Sequence, residues 1–312
     1  MGLDIGAVMV KGVIVDIYDN IISSSCLYNE GNPVKTVKMV IREMQKDIDL
    51  EKYAVLGIGV TGSARKLIGK MLDAVVIKNE VLAQARGTAI IYPGVRTILE
   101  IGGEDSKIIL IRDGKVIDYA INTLCGAGVG AFINDMAKLF GVRVDDISKL
   151  ALNSKKRIDV SSKCAIFAKS ELLHKVQEGY KKEDIMAGIS LMVAKNYVNN
   201  VAMGKKIQTP IVFNGGVSKN EAVVKNLSEL LGEEIIVGKN SHLMGAIGVA
   251  ILARESKIER VFDFDIENYN IETKLTNCLE CANNCEIVMV YKNDKLVDKW
   301  GNKCVNESKD IV

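Results

Sequence analysis

Two thirteen-residue segments of the chain place the same kinds of side chain at the same spacing, residues 3–15 and residues 99–111. In each segment an acidic residue follows a short apolar run, and a glycine comes two residues later. A lysine lies seven residues after the acid, and a second apolar run follows. The acid, glycine and lysine are Asp4, Gly6 and Lys11 in the first segment, and Glu100, Gly102 and Lys107 in the second.

This spacing is typical of a strand, a glycine turn and a second strand that together bind phosphate. A glycine turn lets the backbone approach a ligand closely, so its amides can point at phosphate oxygens while the carboxylate holds a metal-bound water. Two such hairpins facing each other would grip a polyphosphate from both sides, which predicts a duplicated nucleotide-binding fold. The alternative is that each acid merely ends a strand before a glycine. The repetition in register favours the nucleotide site.

Cysteines form a second candidate site at the C-terminus. The chain has seven cysteines, an odd number, which favours metal ligation in a reducing compartment over a disulfide framework. The four near the C-terminus are Cys278, Cys281, Cys285 and Cys304. Residues 286–300 alternate like a hairpin, which would return Cys304 to the other three. Four thiolates suit tetrahedral Zn²⁺ or a [4Fe-4S] cluster, and the spacing does not decide between them.

The elements that must position these residues alternate between strands and helices, as in a mixed α/β fold. The pattern of the first lobe predicts a three-strand meander at 2–28, a helix at 33–47, strands at 53–60 and 75–77, and a helix at 80–91. The second lobe repeats this order, with a hairpin at 97–111, a strand at 116–121, a helix ending at 140, a strand at 210–213 and a helix at 244–253 on that strand's sheet. We expect a first lobe at 1–94, a second lobe at 95–255 with a helical insertion at about 144–206, and a cysteine-rich module at 256–312.

Composition narrows the class of protein. A chain of 312 residues with 48% hydrophobic residues can bury two cores. The net charge of +2 argues neither for nor against nucleic acid, but the basic residues are scattered and aromatic residues are few, so we expect no nucleic-acid partner. No apolar run approaches the length that spans a bilayer, and we expect a cytoplasmic protein without a membrane partner.

Six motifs together resemble one known family. They are Asp4-Ile-Gly6, Ile101-Gly-Gly-Glu-Asp-Ser-Lys107, Cys125-Gly-Ala-Gly-Val-Gly130, Cys164-Ala-Ile-Phe-Ala-Lys-Ser170, Phe213-Asn-Gly-Gly-Val-Ser-Lys-Asn220 and Met244-Gly-Ala-Ile-Gly248. Their order resembles the acyl-CoA dehydratase activases, which include the ATP-dependent activators of 2-hydroxyacyl-CoA dehydratases and the ATPase subunits of benzoyl-CoA reductase. The resemblance runs from residue 2 to about 255. It implies a duplicated actin-like (ribonuclease H-like) two-lobe ATPase fold, as in sugar and acetate kinases and Hsp70.

The resemblance also implies an iron-sulfur cluster held by Cys125 and Cys164. Each cysteine begins a helix, and Gly126 and Gly128 leave backbone amides open at the positive end of the helix dipole. A cubane cluster takes four thiolates, so a homodimer that shares one [4Fe-4S] cluster would supply the set. The alternative is that both cysteines are buried structural thiols.

By the same resemblance, Asp4 and Glu100 would hold the hydrated Mg²⁺ of ATP or ADP, and Glu104 would orient or deprotonate the attacking water. The residues expected to bind the nucleotide are Gly6, Lys11, Gly102, Gly103, Asp105, Ser106, Lys107, Gly126, Gly128, Gly215, Gly216 and Asn220. For the last three, which would line the adenosine, the alternative is an ordinary strand-to-helix turn with an N-cap.

The chain departs from its relatives in the phosphate loops. Relatives carry Ser-Thr-Thr where this chain has Ala7-Val8-Met9, and Asp and Gln where it has Glu100 and Glu104. They also tend to have Thr at the position of Val129. Backbone amides can still bind phosphate after these changes, whereas hydrolysis is less secure.

The resemblance therefore implies an ATP-dependent iron-sulfur protein that delivers low-potential electrons. Its donor would be a ferredoxin or flavodoxin, and its acceptor an iron-sulfur dehydratase or reductase. One alternative is a nucleotide-binding scaffold subunit of such an activator with impaired hydrolysis, which the apolar residues 7–9 motivate. A sugar or acetate kinase is a further alternative, against which the two cysteines stand.

Overall fold

The structure of the chain is a computed structural model, which describes residues 1–122, 125–156, 158–161 and 164–303. Within these residues the backbone forms two five-stranded sheets and one three-stranded sheet. Helices cover the two larger sheets, and the main cavity lies between them. In the part of the chain described, no helix is both long and apolar enough to cross a membrane.

The first sheet is built from the first 77 residues, with strand order β3-β2-β1-β4-β5. Its strands are β1 (Gly2–Ile5), β2 (Met9–Val15), β3 (Ile21–Tyr28), β4 (Gly59–Gly62) and β5 (Val76–Ile77). The meander predicted at 2–28 is confirmed, since β2 pairs antiparallel with both β1 and β3. The strand predicted at 53–60 is wrong over most of its length: β4 begins at Gly59, and Tyr53 and Leu56 are exposed. Val55 pairs with Phe262 in an isolated antiparallel bridge, and this pairing does not extend into a strand.

The second sheet repeats this architecture, with strand order β8-β7-β6-β9-β10. Its strands are β6 (Thr97–Ile101), β7 (Ser106–Arg112), β8 (Lys115–Asn122), β9 (Ile211–Asn214) and β10 (Ile235–Ile236). In both sheets the central strand pairs antiparallel with the strand after it and parallel with the strand on its other side. The duplication predicted from the two repeated segments is thus present in the pairing of the strands.

The helices fall largely where the apolar periodicity predicts them. They are α1 (Pro33–Gln45), α2 (Arg65–Met71), α3 (Glu80–Ile91), α4 (Gly130–Leu139), α5 (Ile147–Asn153), α6 (Ala165–Gln177), α7 (Lys182–Tyr197), α8 (Glu221–Leu231) and α9 (Met244–Glu255). Asn32 and Asn79 begin α1 and α3 by accepting hydrogen bonds from amides of the first turn. The insertion predicted at 144–206 contains α5, α6 and α7. Helix α7 is buried almost all round in the second lobe's core.

Helices α3 and α9 each pack on the sheet of the other lobe: α3 on the second sheet and α9 on the first. We call this arrangement the exchange of α3 and α9. The prediction that α9 packs on the second lobe's sheet is wrong: its residues Ala246 and Ala250 pack against Val13 and Gly2 of the first sheet. Helix α3 instead packs on the second sheet, where Val81 and Ala85 share a cluster with Ile98, Ile109 and Val212. The two helices meet at two glycines, Gly87 and Gly248, where an added Cβ would overlap the facing backbone. Small and apolar residues fit either sheet equally well, so periodicity alone does not choose between them.

The C-terminal residues form the antiparallel sheet β11 (Ile271–Asn277), β12 (Glu286–Lys292) and β13 (Lys295–Trp300), which includes the hairpin predicted at 286–300. The segment before it enters the first lobe's core through Phe262, Phe264 and Ile266. Asp298 Oδ2 lies 3.4 Å from Nζ of Lys70 on α2, and Lys292 Nζ lies 2.6 Å from Oδ2 of Asp73, just after that helix. The module is therefore anchored on the first lobe. The domain limits 1–94, 95–255 and 256–312 remain a prediction. These limits assign α3 to the first lobe and α9 to the second, whereas each helix packs on the other lobe's sheet.

Candidate nucleotide site

A cavity of about 480 Å³ lies where the two repeated hairpins face each other. Most of the residues predicted to act on a nucleotide line it. Those residues are Asp4, Gly6, Lys11, Glu100, Gly102, Gly103, Glu104, Asp105, Lys107, Gly216 and Asn220. The other four predicted nucleotide ligands, Ser106, Gly126, Gly128 and Gly215, are not among the residues that line this cavity.

The first hairpin turns through residues 6–9 and is held by Asn29. The Gly6 amide donates to the Met9 carbonyl at 3.0 Å, which closes the turn. The Asn29 amide donates to Val8 O at 2.8 Å, and its side-chain Nδ2 donates to Gly6 O at 3.0 Å. Asp4 and Lys11 are paired across the two strands, with 3.7 Å between Oδ2 and Nζ. The first loop therefore offers a fixed backbone, one carboxylate and one ammonium group.

The second loop is connected to the start of α4. The Gly102 amide donates to Asp105 O at 2.9 Å, which closes the loop. The amides of Gly130 and Ala131 donate to the carbonyls of Gly102 and Gly103, at 2.9 and 2.8 Å. An added Cβ at Gly130 would lie 2.9 Å from Gly102 O, so a side chain at this contact would push the two segments apart.

Lys107 is surrounded by carboxylates. Its Nζ lies 2.5 Å from Asp105 Oδ1, 2.7 Å from Glu80 Oε2 and 3.2 Å from Glu100 Oε2. Its side chain is 4% exposed, and its carbonyl accepts the hydroxyl of the buried Tyr197 at 2.7 Å. Lys107 therefore joins the second loop to the first turn of α3.

Burial shifts the pKa values of the charged groups in the cleft. Burial raises the pKa of Glu100 to about 7, against the opposing effect of Lys107. It also raises the pKa of Asp4, which Lys11 partly offsets. Burial would lower the pKa of Lys107, but its carboxylate neighbours outweigh this effect, so that its pKa is raised and the side chain stays charged.

The charges of the cleft suit a phosphate ligand that arrives with a divalent cation. Six carboxylates line the cavity, and three lysines line it with them. The carboxylates are Asp4, Glu80, Glu100, Glu104, Asp105 and Asp145, and the lysines are Lys11, Lys107 and Lys219. Phosphate oxygens alone would be repelled by this excess of acid. Mg²⁺ is bound through one or two carboxylates together with substrate phosphates. Asp4 from the first hairpin and Glu100 from the second both line the cavity and could supply those carboxylates.

Several residues of the cavity are missing from the sequence-based prediction. They are Glu80, Gln84, Lys219, His242 and Gly245, together with Cys26, which we interpreted as packing. Gly245 brings the start of α9 against Asp4, because its added Cβ would lie 2.7 Å from Asp4 Oδ2. The sequence shows a glycine at this position of α9, but it does not show that α9 packs on the first sheet and so brings Gly245 next to Asp4. Glu80 carried no signal, since an acid in the first turn of a helix is ordinary.

The N-cap alternative for residues 215–220 is confirmed, and binding of adenosine by these residues stays a prediction. Asn220 caps α8, since its side chain accepts from the Val223 amide at 3.1 Å, and it also lines the cavity with Gly216. Gly215 has a φ of 90°, and an added Cβ there would overlap Ile101 O. It shapes the turn between β9 and the helix.

Cys125 and Cys164 each precede a helical turn in the second lobe and are half-buried. Asn196 Nδ2 donates to Cys125 Sγ at 3.2 Å, and the Cys125 amide donates to Asn122 Oδ1 at 3.0 Å. Gly128 leaves no room for a side chain beside Asn196. Close to Cys164, Ile166 and Phe167 are strongly exposed, at 74% and 69%.

The C-terminal cysteines lie at one end of the third sheet. Cys278 and Cys285 are buried, while Cys281 is exposed. Cys304 lies outside the described residues. Among the residues that the structure describes, no three Cys, His, Asp or Glu side chains are already arranged as a metal ligand set.

Comparisons with known proteins agree with this geometry. The model of the BadF/BadG/BcrA/BcrD ATPase family matches residues 1–253. The chain is 34% identical over 254 residues to the 2-hydroxyisocaproyl-CoA dehydratase activator of Clostridioides difficile, which covers 81% of this chain and 94% of that protein. It is 32% identical over 253 residues to the (R)-2-hydroxyglutaryl-CoA dehydratase activating ATPase of Acidaminococcus fermentans, with coverages of 81% and 96%.

Solved structures give the same relationship. Component A of the Acidaminococcus fermentans (R)-2-hydroxyglutaryl-CoA dehydratase aligns with a TM-score of 0.73 and 30% identity, over 82% of this chain and 97% of that one. The Clostridium difficile 2-hydroxyisocaproyl-CoA dehydratase activator with bound ADPNP aligns with a TM-score of 0.72 and 32% identity, over 82% and 94%. A Streptomyces griseus ROK family glucokinase, at 13% identity and a TM-score of 0.51, shares the fold alone. The chain belongs to the BadF/BadG/BcrA/BcrD ATPase family.

Proposed function

We propose that this protein is an ATP-dependent iron-sulfur activator that delivers single low-potential electrons to an iron-sulfur dehydratase or reductase. The observation that carries the proposal is the meeting of Asp4, Glu100 and Glu104 in one cavity, in a family whose members include dehydratase activators. We assign it a ferredoxin or flavodoxin as donor, a homodimeric state and a cytoplasmic location.

In this proposal the two lobes bind Mg²⁺·ATP between them. Asp4 and Glu100 hold the hydrated metal, and the backbone of residues 6–9 and 102–105 receives the phosphates. Lys11 stands beside Asp4 and faces the phosphates from the first lobe. Gly216 and Asn220 line the adenosine end, which places the base near the start of α8.

Glu104 positions the water that attacks the terminal phosphate. It lines the cavity next to Gly103, and it is exposed to the solvent of the cleft. A carboxylate there can accept a proton from the water as well as orient it. This role is compatible with the departure from glutamine, because both side chains offer an oxygen that accepts a hydrogen bond from water.

We propose that Cys125 and Cys164 bind a cluster that two protomers share. Asn196 Nδ2 donates a hydrogen bond to Cys125 Sγ, and Cys164 stands at the N-terminus of α6. One chain supplies two thiolates of the four that a cubane takes, and a second copy would supply the rest. When bound, such a cluster would hold one electron at low potential.

The start of α4 connects the second phosphate loop to the segment that carries Cys125. The carbonyls of Gly102 and Gly103 accept the first amides of α4, and Cys125 lies five residues before Gly130. A change at the second loop on hydrolysis therefore shifts the segment 125–130 directly. We propose that this contact converts hydrolysis into a movement of the two cysteine-bearing segments.

A second candidate is a nucleotide-binding scaffold subunit that hydrolyses ATP poorly. The observation in its favour is that Val8 takes the place of a hydroxyl residue and faces the second loop, where an added Cβ at Gly103 would lie 2.6 Å from Val8 Cβ. This apolar contact fills space between the two loops without offering a hydrogen bond to phosphate.

Anaerobic purification followed by two assays separates the candidates. The activator should hydrolyse ATP only with Mg²⁺ and should contain about four irons and four sulfides per dimer. A protein that binds ATP with Mg²⁺ but does not hydrolyse it, at any iron content, supports the scaffold. A colourless protein without iron contradicts the electron-transfer role, whatever its hydrolysis rate.

A further inference from the structure

Three buried polar side chains lie behind the nucleotide cavity, where α3 packs on the second sheet. They are Gln84 and Thr88 of α3 and Asn214 at the end of β9, and each is at most 5% exposed. Asn214 Nδ2 donates to Gln84 Oε1 at 3.2 Å and to Thr88 Oγ1 at 2.8 Å. Thr88 Oγ1 donates in turn to the backbone carbonyl of Gln84 at 2.7 Å. We call these three side chains the Gln84 network. Of the three, Gln84 lines the cavity.

The Gln84 network determines which end of the Gln84 amide faces the cavity. A backbone carbonyl can only accept, so the single hydroxyl proton of Thr88 goes to the carbonyl of Gln84. Thr88 Oγ1 therefore accepts its other hydrogen bond, and the group that faces it is the NH₂ of Asn214. The second N–H of that NH₂ points at Gln84, which must present Oε1 to it. The donor end of the Gln84 amide, Nε2, is thus turned away from Asn214.

Gln84 Nε2 lies beside the carboxylate of Asp4. A Cβ added at Gly245 would lie 3.4 Å from Gln84 Nε2 and 2.7 Å from Asp4 Oδ2, so the two atoms flank the same point at the start of α9. Because Gly245 has no side chain, the gap between these atoms stays open to the cavity that it lines. Within the described part of the chain, Nε2 donates to no other protein group.

We propose that Gln84 is a positioning residue for Asp4: its Nε2 donates to the Asp4 carboxylate across the gap beside Gly245 and so holds that carboxylate in place for the metal. This inference rests on the proposed Mg²⁺-nucleotide site. A gap of this width is closed by a small side-chain rotation or by one bridging water.

The chemistry of the Gln84 amide suits this role. A carboxylate offers about four lone-pair sites, so Asp4 can accept from Gln84 and from Lys11 and still serve the metal's hydration shell. Lys11, whose Nζ lies 3.7 Å from Asp4 Oδ2, already brings one positive charge to this carboxylate. A second cation would compete with Mg²⁺, whereas the neutral amide of Gln84 fixes the carboxylate and leaves its remaining negative charge to the metal.

ADP binding with and without metal tests this proposal. The Kd for ADP is measured by calorimetry on the full-length protein, once in Mg²⁺ and once in EDTA. Gln84→Met keeps the length of the side chain but removes its donor and its acceptor. It should raise the Kd for Mg²⁺·ADP by about tenfold, the usual effect of losing a group that holds a metal-binding carboxylate, and should change the Kd in EDTA by less than about twofold. Gln177→Met is the matched control, since Gln177 is exposed at the end of α6.

A titration with Mg²⁺ separates positioning from a purely structural role. At a fixed ADP concentration, Gln84→Met should need about ten times more Mg²⁺ for half-maximal binding, and excess Mg²⁺ should restore the binding of the wild type. Loss of a packing contact alone would lower the melting temperature of the nucleotide-free protein without changing this Mg²⁺ requirement. Thr88→Val is a second variant of nearly the same shape. It releases the orientation of Gln84 without touching the cavity, and it should raise the Mg²⁺ requirement by a smaller factor.

Two results would overturn the proposal. An equal rise of Kd in Mg²⁺ and in EDTA would make Gln84 a structural residue, and an unchanged Mg²⁺ requirement in both variants would separate it from Asp4. A wild-type protein that binds ADP equally well with and without Mg²⁺ would refute the metal role of Asp4 and this inference with it. The assay needs neither iron nor hydrolysis, so a protein without iron would contradict electron delivery and leave the role of Gln84 standing.

Discussion

Glu104 and Lys107 occupy the same loop but meet very different surroundings. Lys107 is enclosed by three carboxylates, whereas Glu104 is exposed and has no ion pair among the described residues. A side chain without a structural partner is free to serve the reaction. Lys107, by contrast, is fixed in place by Glu80, so it sets the position of the second loop.

Replacing Glu104 tests its role. Glu104→Ala should lower kcat for ATP hydrolysis by about a hundredfold or more, because general-base and positioning effects are typically of that size. The Kd for ADP should change less than about threefold, since the nucleotide does not rely on this side chain for binding. Glu104→Gln is the matched control and should retain more activity than the alanine variant. Equal loss in both variants would assign Glu104 to proton abstraction, and no loss in either would remove it from the mechanism.

His242 gives the apoprotein a pH dependence. Burial, with Lys219 and Lys11 adding to it, lowers the pKa of His242 to about 4, from an unfolded value of about 6.5. Between these values the unfolded chain binds the proton and the folded protein does not. The contribution of His242 is therefore present above about pH 6.5 and is lost as the pH falls towards 4.

Denaturant unfolding from pH 4 to pH 7 checks this dependence. His242→Gln should lower the slope of the unfolding free energy against pH across this range, while the raised pKa of Glu100 contributes a fall with pH that both proteins share. His174→Gln is the control, since His174 is exposed on α6 and is the other histidine of the chain. A slope that His174→Gln flattens and His242→Gln does not would reverse the assignment.

At the scale of elements, the sequence predicted local features well and tertiary partners poorly. The repeated acid, glycine and lysine predicted both hairpins, because strand alternation and glycine turns are local properties. Whether α9 lies on the first or the second sheet depends on contacts more than two hundred residues apart, which no local pattern records. The position of Glu80 beside Lys107 follows from that same long-range packing, so it escaped prediction as well.

The crossing of α3 and α9 is sensitive to a single methyl group. Gly248→Ala would place its Cβ against the Ala83 carbonyl, so the helices must separate. We expect a loss of about 1–3 kcal/mol in unfolding free energy, as for overpacked cores. Thermal unfolding measures it, with Gly126→Ala as the control because nothing lies within 4 Å of a Cβ there. Unchanged stability in Gly248→Ala would mean that the helices are free to shift apart.

At the scale of the whole molecule, the cysteines of the second lobe predict an assembly. If Cys125 and Cys164 share a cluster across two copies, Cys164→Ser should release monomers and lose the iron together. Anaerobic sedimentation combined with iron analysis measures both. Cys26→Ser is the control and should stay dimeric, since Cys26 lies in the nucleotide cleft. A Cys164→Ser dimer that keeps its iron would contradict the shared site.

The packing of α9 on the first sheet also determines when, during synthesis, that sheet can reach its final packing. The strands of the first sheet are made within the first 77 residues, but the helix that covers Gly2 and Val13 is not made until residues 244–255. Until then, that face of the newly synthesised sheet remains exposed to water and to other chains. The first lobe, although it is translated first, is therefore among the last parts of the family-matched segment to reach its final packing, and a ribosome-bound fragment of 94 residues would expose an apolar face.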